Sequence, residues 1–261
     1  MPVETHVARA RSRADAEREA VHAKHDALGT FIDRVRDLSP DPTAPLPGVT
    51  ATAGVRPGNG SSMDDCCRTV RTAFVETVRP HSVNDTDDPE PLLETIGEEL
   101  SESIAVALAP ATDATLTPEL GRMVVAAATS RRAETAVMQR ALDHELEALG
   151  GAAASADAIT AWVAEADETP LTELGFDALR QRHDTLAEHR ERCDAFARER
   201  QSFLQGTTSR SAEVGIDHRS LVAYLYADFP VDHPVLATAA RLDDICAECQ
   251  RAVRDHLTRR V

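Results

Sequence analysis

Between Pro2 and Leu38 the apolar residues Val7, Ala14, Val21, Leu28 and Val35 recur every seven positions, and Ala10, Phe31 and Leu38 fill part of a companion seam. A 3.5-residue repeat keeps one stripe on one side of a helix and predicts a rod lying along a neighbouring helix. Glu17 and Lys24 stand where the companion seam calls for apolar side chains, so the packing is expected to loosen there. The pattern stops at Ser39. From there to Ser62 five prolines and four glycines alternate with small residues, and 39–62 reads as a Pro/Gly-rich linker.

Helical spacing resumes near Met63, with Asp64 as cap and Pro80 as stop, and sets Val70, Phe74 and Val78 on one face. After an acidic loop, His81 to Pro89, the positions Leu92, Leu93, Ile96, Leu100, Ile104 and Leu108 predict a single helix over Pro91–Ala109. Thr117-Pro118-Glu119 joins a capping hydroxyl, a first-turn proline and an acid at the positive dipole end. The helix it starts is expected to run to Leu149 and stop at Gly150-Gly151, with a short helix over Ile159–Ala166 carrying Trp162.

A second rod, 171–204, repeats Leu179, Leu186 and Cys193 by seven, with Phe196 and Phe203 on the adjoining seam, before Gly206 opens a polar loop. Asp217 can cap a short helix to about Asp228, and Val235–Arg260 closes a C-terminal helical hairpin, 217–260. No convincing strand alternation occurs. The predicted fold is all-α: an elongated helical bundle with long antiparallel coiled-coil-like helices. Residues 63–261 make the bundle and helix 1–38 packs on it as one domain. The two rods, alike in length and in Arg/Glu surface, are expected to pair, within one chain or between two.

Composition sharpens this. The 261 residues include one Trp, two Tyr, six Phe and twelve Gly, which argues against a β-sandwich, an up-and-down barrel or a Gly-rich nucleotide binder. With 28 basic and 44 acidic residues the net charge is −16, and Lys24 is the only lysine. A GC-rich genome accounts for the missing lysine; a salty cytoplasm accounts for both features, because a carboxylate surface stays hydrated when repulsion is screened. The chain therefore reads as a halophile's protein. Phosphate contacts weaken steeply with salt, so nucleic acid is not an expected partner. Met1–Asp15 lacks the apolar core of a secretory signal, and the longest apolar run, Met123–Ala128, is far short of a membrane span. Five cysteines, an odd number in a large chain, fit reduced thiols in the cytoplasm.

Candidate chemistry is thin, and no catalytic residue or cofactor is expected. Cys246-x-x-Cys249 is the sharpest motif, and with Cys66-Cys67 it could supply four soft ligands to a metal, or act as a redox dithiol. Both of its cysteines, however, lie on a stripe with Val235, Ala239, Leu242 and Val253, where a free cysteine behaves as a small hydrophobe. Glu19-x-x-His22 with His25 resembles one quarter of a di-iron site, but no second Glu-x-x-His occurs. Arg9, Arg11, Arg13 and Arg18 form one basic patch and Arg251, Arg254, Arg259 and Arg260 another, each amid acids that would pair with them. Tyr224, Tyr226 and Phe229 concentrate aromatic area beside Pro230 and Pro234, as a hydrophobic anchor or a partner surface.

The stretches MPVETHVARARSRADAEREAV, VRTAFVETVRPHS, TPLTELGFDALRQRHDTL and SLVAYLYADFPVDHPVLATAARL resemble a haloarchaeal, all-helical family described only as a domain of unknown function. The resemblance covers nearly the whole chain. It implies the helical architecture and a halophilic archaeal source, and brings no activity or site residue. The functional expectation is a non-enzymatic helical interaction or scaffold protein, self-associating or docking a protein partner. The alternatives are a metal- or thiol-dependent regulator using Cys246 and Cys249, and a transcription-associated adaptor contacting DNA through the Arg9–Arg18 helix.

Overall fold

The computed structural model describes residues 6–38, 61–82, 91–110, 116–211 and 218–259, with the side chains of 61–65, 206–211 and 218 outside that description. Among the described residues 87% are helical and no strand occurs, so the fold is all-α. The helices are α1 (His6–Leu38), α2 (Ser61–Thr77), α3 (Leu92–Glu99), α4 (Glu102–Ala107), α5 (Pro118–Asp167), α6 (Phe176–Ser211), α7 (His218–Leu225) and α8 (Pro234–Thr258). A 3-10 turn, Arg79–His81, follows α2 around Pro80. Most of the 39–62 linker, most of the acidic loop and the caps assigned to Asp64 and Asp217 lie outside the described residues and side chains.

Several boundaries differ from expectation, each for a local reason. The helix expected over Pro91–Ala109 is two, α3 and α4. Ser101 takes an extended backbone (φ 178°, ψ 156°), and its Oγ accepts the Ile104 N–H, so a fresh N-terminus begins there. The helix expected to stop at Gly150-Gly151 instead continues for 50 residues as α5. Two interior glycines cost about 1 kcal/mol each relative to alanine. The buried stripe Leu142, Leu149, Ala152, Ala156 and Ile159 passes straight through them, and tertiary packing outweighs that propensity. Its start matches the sequence signal, since Thr117 Oγ1 accepts the Leu120 N–H at 3.1 Å. The second rod begins at Phe176 rather than Leu171, because Pro170 and Glu173 close a turn (Glu173 N–H to Pro170 O, 3.0 Å), and it runs past Gly206 to Ser211.

Contacts divide the chain into two compact units: residues 1–18 with 140–261, and residues 19–139. In the second unit Leu28, Phe31, Ile32 and Val35 of α1 meet Val70 and Phe74 of α2, Ile96, Ile104, and Val124 of α5 in one core. Phe31 and Phe74 stand edge to face, 5.6 Å between centroids, adding about 0.5–1.5 kcal/mol to their burial. His22 meets Gln139, and His25 meets Thr135 and the Arg132 carbonyl, so α1 and α5 run antiparallel there.

The first unit is built on α5, α6 and α8. Glu145 pairs with Arg200 and Trp162 with His189, which fixes α5 and α6 as antiparallel. Arg190 pairs with Asp243, and Gln250 reaches the His183 carbonyl, which does the same for α6 and α8. The heptad positions Leu179, Leu186 and Cys193 are buried as expected, and so are Leu242, Cys246 and Val253 of α8. The neighbours that these contacts give the two expected rods are other helices than each other: α5 for α1, and α5 and α8 for α6.

Candidate functional site

The residues singled out for chemistry are distributed as follows. Cys246 is fully buried and Cys249 half-buried on the core side of α8, mid-helix, within the first unit; Cys67 is buried and Cys66 half-buried on α2, within the second. Burial is the largest cause pushing Cys246 up, to about 11, helped by Cys249 and Asp243. Cys193 of α6 rises to about 12 by burial first and then by proximity to Cys246. A thiol must ionise to attack, and these environments hold Cys246 and Cys193 protonated at neutral pH. Among the described residues no group of three or more His, Cys, Asp or Glu is disposed to hold a metal ion.

His22, beside Glu19, is exposed; it accepts from Gln139 Nε2 at 3.1 Å and lies 3.7 Å from Asp26. The first basic patch is largely engaged: Arg13 on Glu17 and Arg18 on Asp15, both at 2.7 Å, and Arg9 over the Phe229 ring at 4.7 Å. Of the aromatic cluster, Tyr226 is the anchor, buried and stacked edgewise on Phe229, whereas Tyr224 is largely exposed.

Tyr226 leads to a feature that motif reading missed. Glu145 has no exposed surface, and Arg200 forks onto it with two hydrogen bonds of 2.8 Å. The Tyr226 hydroxyl donates to Glu145 Oε1 at 2.6 Å, and burial followed by the Glu145 charge pushes its pKa upward. The signal was present: Arg200 is the next heptad position after Leu179, Leu186 and Cys193, and Glu145 sits on the stripe between Leu142 and Leu149. Two opposite charges on two buried stripes foretell a pair.

The second unit holds a comparable group. Glu99 is buried at the end of α3 and takes hydrogen bonds from Lys24 at 2.5 Å and Arg131 at 3.0 Å. Burial raises its pKa, but the hydrogen bonds and charges of Lys24 and Arg131 outweigh this and leave it lowered. Lys24 is therefore not merely a gap in the α1 seam.

A concavity of the first unit lies beside the α5–α6 turn. It has a volume of about 640 Å³ and is walled by Trp162, Leu186, Leu242, Ile245, Cys249 and Val253, with Asp167 and Arg182 among its polar groups. That volume falls in the range of small-ligand sites, roughly 300–1,000 Å³. A smaller hollow of about 270 Å³ sits beside Arg200 and Phe203.

No helix among the described residues is long and apolar enough to cross a membrane. A family model matches residues 5–250, and its description is "Domain of unknown function (DUF7260)". No curated protein and no solved structure matches the chain.

Proposed function

From the premise that the chain belongs to the DUF7260 family, we propose that it is a non-enzymatic helical interaction protein of a halophilic archaeon, acting in the cytoplasm. The observation that carries this reading is how buried charge is used. Glu145 and Glu99 are each closed on cations of the same unit, at 2.5–3.0 Å, instead of being held ready to exchange protons with a substrate. The net charge of −16 and the single lysine support the halophilic part. Large apolar side chains left outside the cores, Val106, Met123, Phe176 and Tyr224, support the interaction part, with a second copy or another protein as partner.

Light scattering over a wide concentration range in molar KCl, with the single changes Met123→Ser, Phe176→Ser and Tyr224→Ser, tests the reading. Mass is expected to rise with concentration, or a complex with a co-purified protein to persist, and at least one serine variant to weaken it with helicity intact. A monomer at all concentrations whose complexes ignore all three changes would overturn it.

A further inference from the structure

The cavity beside the α5–α6 turn carries a proposal independent of partner docking. Its walls are mostly apolar, from Leu186 of α6 and Leu242, Ile245 and Val253 of α8. Trp162 leans edge-on against His189, ring centroids 4.9 Å apart, and lines the cavity as well, so the indole is held in place at one wall.

The polar groups differ in availability. Thr160 donates to the Ala156 carbonyl at 2.8 Å, and Arg182 turns to the Thr169 carbonyl at 3.2 Å. Asp167, at the last position of α5, has no cationic side chain within ion-pair distance among the described residues. Around it, from Glu165 to Asp177, the chain carries five carboxylates and no basic residue, all five exposed. The Cys249 thiol on the same wall records the sign of the field: burial first, then the charges of Asp167 and Glu248, push its pKa upward, with Arg182 a smaller opposing influence. An apolar chamber with an indole in its wall, a carboxylate free of ion pairs at Asp167 and its one lining cation, Arg182, turned to the Thr169 carbonyl complements one chemistry. Quaternary and other organic cations gain from ring faces as well as from carboxylates.

We propose that this cavity is a binding site for a small organic cation, its apolar body against Trp162, Leu242 and Ile245 and its positive head at Asp167.

The single tryptophan makes the test direct, because any change in indole emission reports on this wall alone. The intact chain in sodium chloride is titrated with benzyltrimethylammonium and, separately, with neopentylbenzene, which replaces the charged nitrogen by carbon at equal shape. The cation is expected to shift Trp162 emission saturably and to bind about tenfold more tightly than the neutral isostere, a gap that narrows as salt rises. Asp167→Asn, at an exposed helix end, is expected to narrow the gap severalfold while leaving helicity unchanged. Ala252→Phe, which fills the cavity from its exposed rim, is expected to abolish the response to both probes. Equal affinity for the two probes, a gap left unchanged by Asp167→Asn, a response that survives Ala252→Phe, or no response to the cation would each overturn the proposal.

Discussion

The two units solve one problem, a buried glutamate, in two ways. In the first, Glu145 and Arg200 are both almost wholly enclosed (0% and 4% exposed side chains), and the fork is closed by Tyr226. In the second, Glu99 is enclosed but its cations reach it from the edge, Lys24 at 16% exposure and Arg131 at 36%. An enclosed pair has lost nearly all its water, so each member depends on the other; a carboxylate bridged from the rim has a second cation and nearby solvent in reserve. The lesson is that charge on an apolar stripe marks specificity where both partners are sealed, and tolerance where one can retreat.

The sharpest break of that contrast is Arg200→Met, which strands Glu145 and is expected to cost about 3–5 kcal/mol in urea unfolding. The double change Glu145→Leu with Arg200→Met, made in a Tyr226→Phe background so that no buried hydroxyl is left without its acceptor, is expected to recover most of the loss, because matched apolar side chains need no partner. A double variant as unstable as the single would show that the pair itself supplies net stability. In the second unit Lys24→Met leaves Arg131 on Glu99, and the expected loss is smaller, about 1–3 kcal/mol. A loss equal to that of Arg200→Met would erase the distinction.

Acid separates the units next. His189 is buried against Trp162, and neither ring nitrogen has a hydrogen-bond partner among the described residues. Burial first, then Arg192, lowers its pKa from 6.5, with Glu188 opposing. The unfolded chain therefore takes up this proton more readily, and the contribution of His189 is whole above about pH 6.5 and falls as pH drops below it. Glu99, lowered from 4.5, contributes fully above that value and is lost only as pH falls through its folded value. Hydrogen exchange followed from pH 7 to 4 should therefore show α5–α6 amides around His189 loosening before those of α3. The reverse order would contradict the assignment.

The smallest effect is a gain. At Gly150 and Gly151 an added methyl meets nothing within 4 Å, so alanine at either is expected to raise stability by about 0.4–1 kcal/mol. A loss, seen as a lower thermal midpoint, would mean that the glycines serve something other than continuity of α5.

The helical class, the α1 seam and the Thr117 cap were legible because each is a local pattern with a single reading. The break at Ser101 was not: Leu100 and Ile104 keep helical spacing across it, and a serine's choice between cap and interior is made by what packs around it. The path through Gly150-Gly151 is hidden for the converse reason, since a strong local stop signal yields to burial of the stripe on either side of it. The stripe on which Cys246 is buried is legible in the sequence, whereas the cavity beside Cys249 is not, because it is made by residues from 160 to 253 meeting at a helical turn.

Lys24 gives unit 19–139 a built-in gauge. It is the only side-chain amine in the chain, and its nitrogen is clasped by Glu99 in a largely covered position. An acylating reagent can modify that nitrogen only after the clasp opens. The rate of its acylation therefore times how often this part of the molecule breathes, with no label added and no competing lysine to subtract.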